Sequence, residues 1–443
     1  MTDSFQAQLD SGAFDDIECL VPDINGLGKG KTVPVKQVRE GSLRMPEGIF
    51  GQDILGAWCE DYDLIDVADV DVAITPVNDT LSPLPWGDGK TAQCIFDVQL
   101  PDGSTSNLAP RQLLQKVLAL YDDMGLGVVV AQEAEFYLVD PNPDPNMPLQ
   151  PATGRSGRRP SAARSFQMEA LAEYGEFTEK LNQYAKSMNI EMSGLIHEMG
   201  RGQLEVNFVH GDPLKKADEM FNFKRAAREA AIACSKQATF LAKPLTNEPG
   251  CASHLHQSLW DKSSDSNVFV SSDGSYTSTF YSYLAGLQAY TPAVTAIYAP
   301  NVNSYRRFEG MESSPTNVEW GIDNRTTGFR IPKCSADATR IENRIPGSDS
   351  NPYLAIAISL ACGYLGLQAE LKPNDPVAAS AWKLPHSLPR SLNDALAALK
   401  ACTPITELFG ERFVNLFINL KEREAQDFAD TVSAWEREHL LII

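Results

Sequence analysis

The chain contains no Walker-type GxxxxGK[ST] loop and no GxGxxG, so any nucleotide must be held by another device. Its eight cysteines are scattered without a CxxC pair, which excludes a small secreted disulfide framework. They read as reduced core residues of a cytoplasmic protein. Positive charge is scarce: 38 Lys and Arg stand against 58 Asp and Glu, for a formal net charge of −20. Nucleic acid and an anionic membrane surface are therefore excluded as main partners, and any local cluster of arginines becomes informative. The N-terminal MTDSFQAQLDSGAFDD lacks a basic n-region and an apolar h-region, so it does not read as a signal peptide. The longest apolar run, YLAIAISLACGYLGL, is short for a membrane span and contains Ser359 and Gly363. Asn351 as cap and Pro352 as first helical residue make it a buried helix instead.

What is there is a soluble globular composition, 43% apolar and 22% charged, in 443 residues, ample for a sizeable core. Residues 15–35 predict two strands around the Asn25-Gly26 turn, and AQCIFDVQL predicts another. Pro110 opens an amphipathic helix that leads into the strand QEAEFYLV. We place a boundary near residue 105: a small, mostly β module over 1–105 and a larger α/β body over 106–443. Residues 140–165, rich in Pro, Gly, Ser and Arg, predict a surface loop. Two long helical patterns follow, EALAEYGEFTEKLNQYAKSM and PLKKADEMFNFKRAAREAAIACSKQ. From about Leu392 the chain reads as helices, with Phe413, Leu416, Phe417 and Leu420 on a core face.

Within QEAEFYLV, Glu133 and Glu135 share one strand face, because a strand repeats every two residues. Two like charges held that close on a mostly buried strand need a counter-charge. Three more segments set polar groups where packing alone would not. In HEMGRGQLEVNF, Glu198 and Glu205 flank Gly200 and Gly202, whose freedom permits a sharp turn. GCASHLHQSLW puts His254 and His256 on one strand face, and ATRIENRIP alternates Arg340, Glu342 and Arg344. Singly, these fit an edge strand, a packed histidine pair and a surface ion-pair ladder. Together, the glutamates and an imidazole suit a hard divalent cation, Mg²⁺ or Mn²⁺. Arg306, Arg307, Arg325, Arg330, Arg340 and Arg344 cluster nearby in sequence, and guanidinium forks suit phosphate and carboxylate oxygens. Metal-binding carboxylates beside arginines are what phosphoryl transfer requires, which points to an ATP-using, Mg-dependent enzyme acting on a carboxylate.

The ordered set EAEF, HEMGRGQLE, KADE…KQATFLAKP, HLHQSL, NSYRR, NVEWGIDNRTTGFRIP and RIENRIPGSDSNPYL resembles the glutamine synthetase family over most of the chain. The resemblance implies an α+β fold, with an N-terminal β-grasp domain and a larger catalytic domain built on a curved antiparallel sheet with flanking helices. It implies homo-oligomeric rings, commonly stacked hexamers, with each active site between neighbouring subunits. Carried over by position, Glu135, Glu198 and Glu205 match ligands of a first metal that orients glutamate and the amine, with Glu135 also beside the substrate. Glu133, His254 and Glu342 match ligands of a second, on the nucleotide phosphates; the family takes two or three Mg²⁺ or Mn²⁺ ions per site, with ATP as co-substrate. Arg325, Arg330 and Arg340 match groups on nucleotide and transferred phosphate. Arg307 and Arg344 match those gripping the glutamate carboxylates, Gly250 lies in the glutamate-contacting loop, and His256 and Ser258 fall beside the nucleotide base. Because all six metal positions are filled, the resemblance implies a working enzyme rather than a non-catalytic relative.

Three departures bear on the substrate. Ammonia-using members hold ammonium with an aspartate in an FDGSS-type motif; here IFGQDILG puts Gly51 or Gln52 at that place, with Asp53 shifted. The flap glutamate of bacterial ammonia-using members falls at Ser313, with Glu312 next to it. A site without those two anionic groups favours a bulkier or less charged amine, as in the γ-glutamyl-amine and polyamine ligases. Glutamine synthetase proper is the alternative. Glu309 and Glu312 are candidates for the far cationic end of a polyamine. The substrate loop also departs, reading EPGCASHLH instead of NGSGMHxH, which leaves a close analogue of glutamate open. No tyrosine follows Tyr364, so control by adenylylation of the usual tyrosine is not expected.

Overall fold

Residues 3–309 and 314–443 are described in the computed structural model, and two β-sheets organise them. The first sheet uses β1 (Asp16–Pro22), β2 (Gly28–Pro34), β3 (Arg44–Pro46), β4 (Asp71–Pro76), β5 (Ser82–Pro83) and β6 (Thr91–Gln99). Its order is β2-β1-β6-β4-β3, with β5 on β6 and a parallel β1–β6 pair at the centre. The predicted turn joins β1 to β2, and Gly26 takes φ +75°, where a side chain is strained. That turn seats on the cap of the helix Pro352–Gln368: the Asn351 amide donates to the carbonyls of Asp23 at 2.9 Å and Ile24 at 3.2 Å. The Asn351 Oδ1 accepts from the backbone of Tyr353 and Leu354, as an N-cap does.

The second sheet contains β7 (Leu126–Val139), β8 (Met192–His197), β9 (Gln203–Phe208), β10 (Gln237–Thr239), β11 (Leu255–Asp261), β12 (Ser266–Asn267), β13 (Trp320–Ile322), β14 (Phe329–Ile331) and β15 (Ile341–Asn343). Its order is β13-β14-β15-β11-β7-β9-β8, with β10 on β7 and β12 on β11. The sheet is mixed rather than wholly antiparallel, because β13 and β14 pair in parallel at one edge. β7, the longest strand, lies inside the sheet between β11 and β9.

Long helices cover these sheets: Pro110–Asp123, Pro213–Ala233, Ser278–Tyr298 and Pro352–Gln368. One apolar core includes Ile17 and Phe96 of the first sheet together with Leu113, Tyr353 and Phe417. A second, with Phe136, Phe177, Phe223 and Phe240, lies under β7 and β9. Burying aromatic surface at this scale supplies the main drive for the fold. The pattern over 169–188, expected as one helix, forms two pieces, Met168–Ala172 and Gly175–Ser187. Tyr174 breaks it, with φ −107° and ψ 24°, while its hydroxyl donates to the Ala152 carbonyl. Tertiary bonding overrides local propensity there. Six cysteines are buried as expected, Cys402 is half-buried, and Cys334 is exposed, so it departs from the core expectation. Among the described residues, no helix is long and apolar enough to cross a membrane.

Candidate active site

Strand register assembles the site. Glu135 on β7 lies directly opposite Glu205 on β9, and Glu133 lies opposite Asn207. On the other side of β7, the Glu133 and Glu135 N–H groups donate to the carbonyls of His254 and Ala252, each at 3.0 Å. His256 on β11 pairs with Glu342 on β15, which in turn pairs with Arg330 on β14. Residues more than a hundred positions apart thus share one patch of sheet. Glu198 approaches on the turn between β8 and β9, where Gly202 takes φ +81°. A Cβ at Gly200 would lie 1.9 Å from the Tyr137 hydroxyl, so the turn requires glycine at that place too.

Two histidines grip Glu133. His254 Nδ1 donates to Oε2 at 2.8 Å and His256 Nε2 donates to Oε1 at 3.0 Å. Arg340 Nε donates to His256 Nδ1 at 3.2 Å, which fixes the His256 tautomer with its proton on Nε2. Burial opposes ionisation of Glu133, but the hydrogen bonds from both histidines outweigh it and hold the carboxyl below its ordinary range. His254 is pushed down to about 4 by burial and by the Arg344 charge, so its imidazole is neutral at pH 7. Glu342 is fully buried between Arg344 and Arg330, the latter at 2.7 Å; burial raises its carboxyl, yet Arg344 and the histidines bring it down to about 2.

The other carboxylates lack such partners. Burial first, then the Glu198 charge, drive Glu135 up to about 8. Burial with Glu133, Glu135 and Glu198 drives Glu205 up to about 9. Glu198 is raised as well, chiefly by burial. Like charges directly opposite across two strands destabilise a sheet, and these persist where a cation would relieve them. Two groups bring ligand atoms within 4.8 Å of one another: Glu133, Glu205 and His254, and Glu133, His256 and Glu342. Carboxylate oxygens with an imidazole suit Mg²⁺ or Mn²⁺, so the residues present fit divalent cations. His256, expected beside the nucleotide base, lies against Glu133 and also faces the cleft that Ser258 lines. Glu135 and Glu198 adjoin these groups through their charges, without belonging to either tight cluster.

A cleft of about 540 Å³ opens beside Glu133, His256, Ser258 and Arg340, and Phe208 and Trp260 also line it. The Trp260 indole donates to Ser258 Oγ at 3.1 Å. Arg330 also binds Asp323 at 2.6 Å, while Arg325 is exposed on the loop before β14. Arg307 and Arg344 are buried, and Arg307 donates to the carbonyls of Arg344 and Ile345. A Cβ at Gly250 would meet Arg307 Cγ at 2.5 Å and the Ala242 carbonyl at 2.8 Å, so that loop packs flush on the arginine. Pattern reading overlooked Gln203, which donates to the Gly250 carbonyl at 2.9 Å and to Glu135 at 3.4 Å. It also overlooked Asn207, which donates to Glu205 at 2.8 Å. Both were accessible through the period of two in QLEVN, which puts them on the Glu205 face.

Two expected groups have partners of their own within this chain. Asp53 Oδ1 accepts from the Leu55 and Ala57 N–H groups at 2.9 and 2.8 Å, capping its own turn, and Oδ2 faces Arg423 at 3.5 Å. Glu309, a candidate for the far end of a polyamine, pairs with Lys243 at 3.3 Å. Glu312 and Ser313 lie outside the described residues.

A carboxylate-rich, arginine-lined site on a mixed sheet defines an ATP-dependent carbon–nitrogen ligase when joined to the following likenesses. The model of the glutamine synthetase catalytic domain matches residues 107–440, and the chain belongs to that family. A glutamate–isopropylamine ligase of Pseudomonas sp is 32% identical, covering 96% of this chain and 94% of that protein. A glutamine synthetase of Halobacterium salinarum is 30% identical, with 100% and 97% covered. The γ-glutamylputrescine synthetase PuuA of Escherichia coli is 31% identical, with 96% and 91% covered. A solved GmaS–ADP complex superposes with a TM-score of 0.86 over 100% of both chains at 26% identity. Family membership implies glutamate, ATP, a divalent metal, and an amine or ammonia as nucleophile.

Proposed function

We propose that the protein joins the γ-carboxylate of glutamate to an alkylamine or polyamine, giving a γ-glutamyl amide, ADP and phosphate. A carboxylate is a poor acyl donor because oxide would have to leave. Transfer of the ATP γ-phosphoryl group to a γ-carboxylate oxygen breaks the bond to ADP and makes an acyl phosphate. The uncharged amine then attacks the carbonyl carbon, loses a proton, and phosphate departs. Arg325, Arg330 and Arg340 stabilise charge on the phosphoryl oxygens, while Arg307 and Arg344 orient the amino acid. Glu135, Glu198 and Glu205 would hold one divalent cation and Glu133, His254 and Glu342 another. Bound there, these ions neutralise the phosphate charge. Gly250 keeps its loop open to glutamate, and His256 and Ser258 border the nucleotide. The reading divides the chain near residue 105 into a β-grasp domain and a catalytic domain, and assembles copies into a ring.

The observation that carries the choice of amine is the nucleophile pocket. Where ammonia-using relatives have an aspartate, Gly51 has no side chain and Gln52 offers a neutral amide, its Oε1 already accepting from Lys29 at 2.7 Å. A pocket without that carboxylate does not select a small cation. The alternative, glutamine synthetase, is favoured by the full-length likeness to the Halobacterium protein. Phosphate release with Mg-ATP, glutamate and a panel of ammonia, monoamines and diamines separates the two. We expect release with an alkylamine or diamine at a kcat/KM at least about tenfold above that for ammonia. Release with ammonia alone rejects the proposal in favour of glutamine synthetase.

A further inference from the structure

Residues 51–59 fold back on themselves after the short helical turn Glu47–Gly51. The Cys59 N–H donates to the Gly51 carbonyl at 2.7 Å, and the Asp53 N–H donates to the Ala57 carbonyl at 3.0 Å. Those bonds shape the turn without fixing its place against the rest of the chain. A circuit of side chains from two distant elements fixes it. The Gln52 carbonyl accepts from the Asn25 amide at 3.1 Å. Asn25 Oδ1 accepts from Lys421 Nζ at 2.7 Å, and the same ammonium donates to Glu424 Oε2 at 2.8 Å. Glu424 Oε1 accepts the Ile54 N–H at 2.9 Å, which closes the circuit back onto the turn. Gln52 and Ile54 are thus each gripped through the backbone, one from the hairpin turn of the first sheet and the other from the helix Glu411–Asp430.

The Lys421 side chain is 2% exposed and that of Glu424 8%. A buried ion pair adds little stability over apolar side chains of similar size. Phe413, Leu416, Phe417 and Leu420 already pack this helix by apolar contact. What the pair supplies is direction: an ammonium has three donors, and one of them here reaches Asn25, 396 positions away.

We propose that Lys421, with Asn25 and Glu424, forms a positioning device for the nucleophile pocket. The circuit sets where the backbone of Gln52, Asp53 and Ile54 stands, and so how the attacking amine is aligned. The proposal rests on the function proposed above, which assigns the choice of amine to Gly51 and Gln52. A misplacement of about 1 Å costs a reaction up to about 100-fold, so a backbone held by three side chains controls the rate closely.

Lys421→Met removes the ammonium, and Glu424→Ala removes the acceptor for Ile54. Both are assayed in the full-length protein by phosphate release with Mg-ATP, glutamate and the best nucleophile of the amine panel. Either change should raise KM for that nucleophile at least about tenfold and leave KM for ATP and for glutamate within about twofold. Lys421→Arg keeps donors for both partners and has a cavity of about 40 Å³ beside it, so it should bring the nucleophile KM back toward the parent value. A merely structural role would lower kcat with the folded fraction, read by circular dichroism, and leave every KM unchanged. An unchanged nucleophile KM in folded Glu424→Ala overturns the proposal, as does an equal rise in all three KM values. If Lys421→Met does not fold, Glu424→Ala decides alone. Should the parent use ammonia only, the amine choice proposed above fails, while the KM for ammonia still judges the circuit.

Discussion

Two buried clusters of ionisable groups are built in opposite ways. Around Arg111, every strong group has a partner. Its guanidinium donates to both oxygens of Asp218 at 3.0 Å and both of Asp97 at 2.8 Å, and the Tyr353 hydroxyl donates to Asp218 at 2.7 Å. This network ties β6 to three helices and offers nothing further to a ligand. Around Glu133, Glu135, Glu198 and Glu205 the acids outnumber their partners, and burial drives Glu135 and Glu205 up to about 8 and 9. Full compensation marks a structural network. Excess charge of one sign, aimed at a cleft, marks a binding site.

The largest effect that sharpens this contrast is on turnover. Glu135→Ala should lower kcat by about 10³-fold, as loss of a group that organises transition-state charge does, with little change in unfolding midpoint. Phosphate release under Mg-ATP and a denaturant titration read the two quantities separately. Retained turnover would merge the clusters into one class. Arg111→Ala should do the reverse, costing about 3 kcal/mol of stability by leaving buried Asp218 with the Tyr353 hydroxyl alone and half-buried Asp97 without its ion pair, with kcat per folded molecule unchanged. Stability that stays level would show the network to be dispensable.

A smaller effect distinguishes the empty from the loaded cluster. With its carboxyl driven up to about 9, Glu205 must take up a proton when the metal-free protein folds at pH 7; Glu205→Gln removes that cost, so in EDTA the variant should be about 1 kcal/mol more stable than the parent. With Mn²⁺ added, the parent should gain melting temperature and the variant should gain less. Equal gains would remove Glu205 from the metal-holding set.

Asp23 falls between the two clusters, with one oxygen taking the Leu27 N–H at 2.8 Å and Lys29 distant at 3.7 Å. Burial pushes its carboxyl up to about 6 against these partners. A raised carboxyl disfavours the folded state once ionised, so the penalty grows between about pH 4 and pH 6 and stays constant above. Asp23→Asn, whose carbonyl keeps the turn bond, should therefore stabilise by about 1–2 kcal/mol at pH 8 and not at pH 4. Chemical unfolding at both pH values checks it; an equal effect at both would mean that Asp23 is compensated after all.

Much of this was legible in the sequence because it is local. The period of two gave Glu133 with Glu135, Asn351-Pro352 gave a capped buried helix, and Asn25-Gly26 gave a hairpin turn. The break at Tyr174 was not legible, since it depends on a bond to Ala152 from a distant loop. Nor was the contact of His256 with Glu133, which follows from the pairing of β11 with β7. Strand register is set by long-range packing, and composition contains no trace of it. The division of these groups into two ligand sets comes from resemblance alone, while the structure groups Glu133 with Glu205 and His254 and with His256 and Glu342. The part Asp53 Oδ1 plays in capping its own turn was not legible by either route.

β7 is flanked by β11 and β9, so the acidic row is mounted inside the large sheet, while Gly51 and Gln52 lie at the end of the short helical turn Glu47–Gly51, outside the named strands. On the function proposed above, chemistry and choice of nucleophile therefore reside on different elements. Substitution at Gly51 or Gln52 then exchanges the amine preference without disturbing the frame on which phosphoryl transfer depends.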